Sequence, residues 1–185
     1  MDQNNCSTKE NKYKKFIDYI FKICNRDSGI AAKLKRSGSE NQAVSSWGIL
    51  VQCGIDIEND NKRIPYSLVA ELIARSKLES DSGSDSFGRV LRLAISKKKS
   101  DSKDISDARI RRILNCDSIV ELQIILRSAL NLIISRGLLD KMCFNEFLSD
   151  LISFAYDNSQ MRIKKKWATD FYSETEKKEE LETDD

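Results

Sequence analysis

Apolar residues return along most of this chain every three or four positions, and strict alternation is scarce, so the sequence predicts helices rather than strands. Tyr13, Phe16, Ile17, Ile20 and Cys24 make a first stripe. Asp27 is placed to cap a short helix over Ser28–Ser37, and Val44, Trp47 and Leu50 mark a third element. Pro65 stands where a first helical residue belongs, with Leu68, Val69, Leu72 and Ile73 turned inward behind it. The polar run "ESDSGSDS" then reads as a loop. A helix over Phe87–Lys98 follows and ends in a second polar connector, "KKKSDSKD".

The second half carries the stronger helical signal. A helix over Ile105–Cys116 precedes Ser118-x-x-Glu121, a capping-box pattern that opens a long helix to Ser135. Gly137 stands where a left-handed C-terminal cap belongs. Phe144, Phe147, Leu148, Leu151 and Ile152 line another helix, and Ile163, Trp167 and Phe171 follow at i, i+4 steps on the last one. The expected fold is all-α: a helical bundle of about eight or nine helices in two packed lobes, residues 9–100 and 104–173. The acidic tail, residues 174–185, is expected to be disordered.

Composition narrows the chemistry. A chain of 185 residues buries roughly 70% of its unfolded surface and needs neither disulfide nor metal to fold. Histidine is absent, which removes Ser-His-Asp and Cys-His catalysis and the commonest zinc sites. There is no P-loop and no G-x-G-x-x-G. Asp56, Glu58 and Asp60 lie in a polar stretch before Ile64-Pro65, where acidic residues serve turns without any metal. Catalysis, cofactors and metals are therefore not expected. Cys6, Cys24, Cys53, Cys116 and Cys143 are odd in number and lack a C-x-x-C pair, which suits reduced thiols in a cytoplasmic protein. No apolar run reaches the roughly 18 residues of a membrane span, and no apolar signal core follows the N-terminal charges.

Charge is unevenly placed. Seven carboxylates against two lysines leave residues 174–185 at −5, so residues 1–173 carry +7 within a total of +2. Such a body suits a polyanion, although many basic surfaces only keep a protein wet. Three clusters stand out. The first is Arg26, Lys33, Lys35 and Arg36. The second runs from Arg89 and Arg92 through Lys97–Lys99 to Arg109, Arg111 and Arg112. The third is Arg162, Lys164, Lys165 and Lys166, in "RIKKKWATDFY". Lysines near a helix C-terminus complement its dipole without any partner. The aromatics of the third cluster have a core-facing period, so they are expected to pack inward instead of stacking on bases. Arginines at three-residue spacing, as in Arg109 and Arg112, share a helix face and suit phosphates. No base-reading motif accompanies them, so any nucleic-acid contact would be to the backbone. The rival reading is a helical protein–protein adaptor whose basic faces meet acidic partners.

Four segments together resemble one family. They are Gly29, Ala32, Leu34, Lys35 and Arg36 in a G-x-x-A-x-L-[RK]-R pattern; "SFGRVLRLA"; "ARIRRILNCDSIVELQIILRSALNLI", with Arg109, Arg112, Ile113 and Leu114; and a closing "KKWATDFY", with Trp167, Ala168, Phe171 and Tyr172. In this order, over roughly residues 13 to 173, they resemble CasB, the small subunit of type I-E CRISPR Cascade complexes. Lys35 stands where an arginine is usual, and "RDSG" departs from the family's pattern around Arg26. The resemblance implies a non-enzymatic all-α subunit, present in two copies, in contact with the backbone and large subunits. It also implies contact with CRISPR RNA and target DNA along the guide–target hybrid and the displaced strand. Lys33, Lys35, Arg36, Arg109 and Arg112 would be phosphate contacts, with Arg26 and Lys164–Lys166 beside them.

Overall fold

In a computed structural model, which describes residues 4–37, 43–96 and 103–173, the chain forms nine helices and no strand longer than a single bridge among those residues. They are α1 (Asn4–Arg26), α2 (Ser28–Leu34), α3 (Val44–Gln52), α4 (Asp60–Ser76), α5 (Phe87–Ser96), α6 (Lys103–Leu114), α7 (Ile119–Ser135), α8 (Phe144–Phe154) and α9 (Asp157–Tyr172). The all-α expectation holds.

Local signals set several of the helix ends. The Asp27 carboxylate accepts the Gly29 and Ile30 amides at 2.7 and 3.1 Å and starts α2. At α7, Ser118 Oγ accepts the Glu121 amide at 3.1 Å, while Glu121 reaches back to the Asp117 amide at 3.1 Å. Gly137, at φ 65°, closes α7. Its amide donates to Ile134 O at 3.0 Å and that of Leu138 to Ile133 O at 3.1 Å, the paired bonds of a Schellman motif.

One expectation changes. Pro65 is not the start of α4, because the helix begins one turn earlier, where Asn59 accepts the Asn61 amide at 3.0 Å. The proline removes a bond only to the Asn61 carbonyl, near the helix end, where the loss is tolerable. In α3 the inward face is Ser46 and Leu50, preceded by Ala43, and Val44 stands 63% exposed. The helix itself lies where Val44, Trp47 and Leu50 marked it, with Leu50 buried and Trp47 half-buried.

Apolar stripes from both halves merge into one cluster. From α1 come Phe16, Ile17, Ile20 and Phe21, which meet α4 and α8. Phe16 sits edge-on to Tyr66 at 4.8 Å, and Phe21 edge-on to Phe144 at 5.7 Å. Helix α5 lies along α9, close enough that Gly88 has no room for a side chain. Phe87 stacks on Phe147 at 5.1 Å and meets Trp167 edge-on at 5.1 Å, while Phe154 stacks on Trp167 at 5.9 Å. These rings tie α5, α8 and α9 together. Truncating a buried ring of this kind typically costs about 3–5 kcal/mol.

The segment "ESDSGSDS" is a non-helical connector, as expected, and it also joins distant parts of the chain. Asp85 exchanges backbone bonds with residues 141 and 143, at 2.9 and 3.0 Å. Asp81 accepts the Phe144 and Asn145 amides at 3.2 and 3.0 Å. It thereby caps α8, whose own N-cap residue, Cys143, makes no side-chain bond.

Candidate nucleic-acid interface

The first basic cluster is built on a sharp reversal. Arg26 ends α1, a single residue follows, and α2 runs seven residues before Lys35, Arg36 and Ser37 turn the chain. The turn is anchored from beneath. Ser37, buried, holds its hydroxyl 2.8 Å from Leu34 O and 2.7 Å from Ser67 O of α4, with one proton to share between the two carbonyls. Leu34 is wholly buried beside it. The anchored backbone leaves Arg26, Lys33, Lys35 and Arg36 exposed. Among the described residues none of these four has a carboxylate within ion-pair distance. Asp27, beside Arg26 in sequence, has one oxygen occupied in capping α2, and Glu40, the acid nearest Lys35 and Arg36 in sequence, lies outside the described residues.

The second cluster divides. Arg89 pairs with Asp85 at 3.3 Å, Arg92 is half-buried, and Lys97–Lys99 lie outside the described residues. On α6, Ile110 and Ile113 point inward, leaving Arg112 exposed and Arg109 half-buried. The Arg112 carbonyl accepts the Cys116 thiol at 3.3 Å. Burial pushes that thiol up to about 11, with the Glu121 carboxylate adding to the effect, while Lys164 and Arg112 pull it down. Helix α6 and the basic run of α9 therefore converge beside Cys116.

The third cluster is split between paired and exposed cations, with Arg162 exposed at its start. Ile163, Trp167 and Phe171 are buried, as their spacing predicted. Lys164 pairs with Asp117 at 3.1 Å and lies 5.8 Å from the Phe154 ring centroid. Lys166 pairs with Glu146 at 2.7 Å and with both oxygens of buried Asp150 at 2.7 and 2.8 Å. Trp167 Nε1 donates to the same carboxylate at 2.8 Å. Burial pushes the Asp150 carboxyl above its ordinary range, against the bonds from Lys166 and Trp167. Burial alone would lower Lys166, but its bonds to Asp150 and Glu146 prevail and raise it. Of the consecutive lysines, Lys165 is the exposed one.

One basic feature was missed by looking for clusters. Lys15, Tyr19, Lys22 and Arg26 recur at i, i+4, i+7 and i+11 on α1, a single exposed stripe leading into the first cluster. The spacing is visible in the sequence, but it spreads the charges over three turns.

Chemistry other than charge is sparse. Among the described residues no three Cys, Asp or Glu side chains gather to hold a metal, and no helix is long and apolar enough to cross a membrane. Asp56 and Asp60 pair with Lys62 and Arg63, and Asp56 also accepts the Glu58 amide. Fold and surface together define a class: an all-helical scaffold that displays cations on anchored turns.

That class has a family. The model for CRISPR-associated protein Cse2 matches residues 31–172, and the chain belongs to this family, the CasB small subunit of type I-E Cascade. It is thus a CRISPR Cascade subunit, associated with CRISPR RNA and other Cascade subunits. Among solved structures it is similar to the crystal structure of CasB from Thermobifida fusca, with a TM-score of 0.63 at 12% identity, over 90% of this chain and 97% of that one. At that identity, the TM-score and coverage show a shared fold and nothing further. No curated protein sequence matches the chain. The family match takes in every candidate contact except Arg26; α1 precedes it.

Proposed function

We propose that this chain is a non-catalytic, cytoplasmic Cascade subunit that grips nucleic-acid backbone and stabilises the guide–target hybrid and the displaced DNA strand, alongside a second copy of itself. The observation that carries this reading is the anchored turn at Lys35 and Arg36, with Arg26 and Lys33 beside it. Four exposed cations stand there without intramolecular partners among the described residues. Arg109 and Arg112 extend the contact, and Lys165 adds to it. Lys164 and Lys166 serve chiefly to hold α9 in place. Exchanging a DNA duplex for a guide hybrid is nearly balanced in energy, so a few phosphate contacts shift it substantially. Phosphate contacts carry no sequence information, which suits a subunit that must serve every guide.

The test is Lys35→Glu with Arg36→Glu, read as single-strand affinity against salt and as retention of the displaced strand in the assembled complex. Two lost contacts should flatten the log–log salt slope by about 1.4 and weaken retention, with the helical signal unchanged. Unaltered binding in the double variant would remove this turn from the interface. A chain with no salt-dependent affinity at all would instead favour the protein–protein adaptor.

A further inference from the structure

Beside the α1 stripe lies a cleft that the phosphate contacts leave unused. It has a volume of about 360 Å³ and is lined by Lys15, Phe16, Tyr19, Gln52, Cys53 and Tyr66, with Ile55 behind. This is near the lower end of small-ligand cavities, roughly 300–1,000 Å³. It has room for about one flat ring system and not for a packed helix.

The lining is specific in kind. Phe16 and Tyr66 form an edge-on pair at 4.8 Å that floors the cleft. Tyr19 lines it as well and stands 40% exposed. Gln52 and Tyr66 add hydrogen-bonding groups, and no carboxylate lines it. Lys15 borders it, and Lys22 and Arg26 follow along α1, with the exposed carboxylate of Asp18 between Lys15 and Lys22 on that side. By helix rise, Lys15 and Lys22 are about 10 Å apart and Lys22 and Arg26 about 6 Å apart along one face. An occupant must therefore be flat and apolar while attached to a run of negative charge. A base on a single strand has both properties, with a face for the rings and phosphates for the stripe.

From this we infer that the cleft between α1, α4 and the end of α3 receives one unpaired base of a nucleic-acid strand, stacked against Tyr19, whose phosphates follow Lys15, Lys22 and Arg26. The inference rests on the nucleic-acid reading above and adds a base site to it.

Oligothymidylate and an abasic oligonucleotide of equal length separate the two ideas, since they carry equal charge and differ in bases. With the full chain, fluorescence anisotropy should show oligothymidylate binding about tenfold more tightly, the scale of one stacked base. Tyr19→Ala should abolish that preference without weakening abasic binding, and Tyr19→Phe should keep it. Lys15→Gln with Lys22→Gln should weaken both oligonucleotides alike. Equal binding of the two by the unaltered chain, with steep salt dependence, overturns the base site and leaves the backbone reading standing. A thymidylate preference that survives Tyr19→Ala also overturns it. Failure to bind either oligonucleotide at low salt overturns both.

Discussion

Asp81→Ala removes a helix cap supplied from 63 residues away. The carboxylate accepts the Phe144 and Asn145 amides at 3.2 and 3.0 Å. No other side chain caps α8 from within its own N-cap residue. Loss of a helix N-cap typically costs about 0.5–2 kcal/mol, and bonds to a charged acceptor sit at the upper end of the hydrogen-bond scale. About 2 kcal/mol is therefore expected. For a domain of this size that lowers Tm by about 4–8 °C, measurable by scanning calorimetry. Asp81→Asn should recover most of the loss, because asparagine caps about as well as aspartate.

The pH dependence of this cap runs against habit. Burial pushes the Asp81 carboxyl above its ordinary 3.8, while the amides of Phe144 and Asn145 pull the other way. A group whose folded pKa is raised holds its proton more tightly in the fold. Its contribution is full below the unfolded value and declines as pH rises through the folded one. The gap between the unaltered chain and Asp81→Ala should thus be wider below pH 4 than at neutrality. A drop under about 1 °C at both pH values would refute the trans-cap as an anchor. A gap widest at neutrality would refute the dominance of burial.

Gly88→Ala should lower Tm even though alanine favours helices by about 1 kcal/mol. The added Cβ would sit 2.6 Å from the Trp167 carbonyl and 2.9 Å from Asp170 Cβ, an overpacking typically worth about 1–3 kcal/mol. A higher Tm would show that α5 and α9 can part without penalty. Burial pushes the Tyr66 phenol from 10.0 up to about 12. Its stabilising contribution should be present below pH 10 and lost as pH climbs toward 12. Tyr66→Phe should flatten that part of the stability curve in alkaline unfolding.

Features written in neighbouring residues were legible before the fold. Asp27, Ser118 and Gly137 mark helix ends by local bonds, and Ile163, Trp167 and Phe171 declare a buried face by period. Within the interface, the exposure of Lys35 and Arg36 follows from a short helix that ends on the surface. What could not be read depends on distant partners. Lys164, Lys165 and Lys166 are indistinguishable in sequence. Asp117 engages the first and Glu146 with Asp150 the last, leaving Lys165 exposed. Asp81 and Gly83 look like ordinary loop residues. Yet Asp81 caps a helix from the other half, and a Cβ on Gly83 would lie 2.3 Å from the Met142 carbonyl.

The hydroxyl of Ser37, bonded to Ser67 O, gives the basic turn a mechanical footing. If a strand is held by Lys35 and Arg36 as proposed, pulling it away loads a backbone tethered to α4, which is packed against α1, α7 and α8. The load passes into the body of the protein before the turn can peel. Ser37→Ala would leave every cation in place and remove that tether, softening the grip under tension more than at rest.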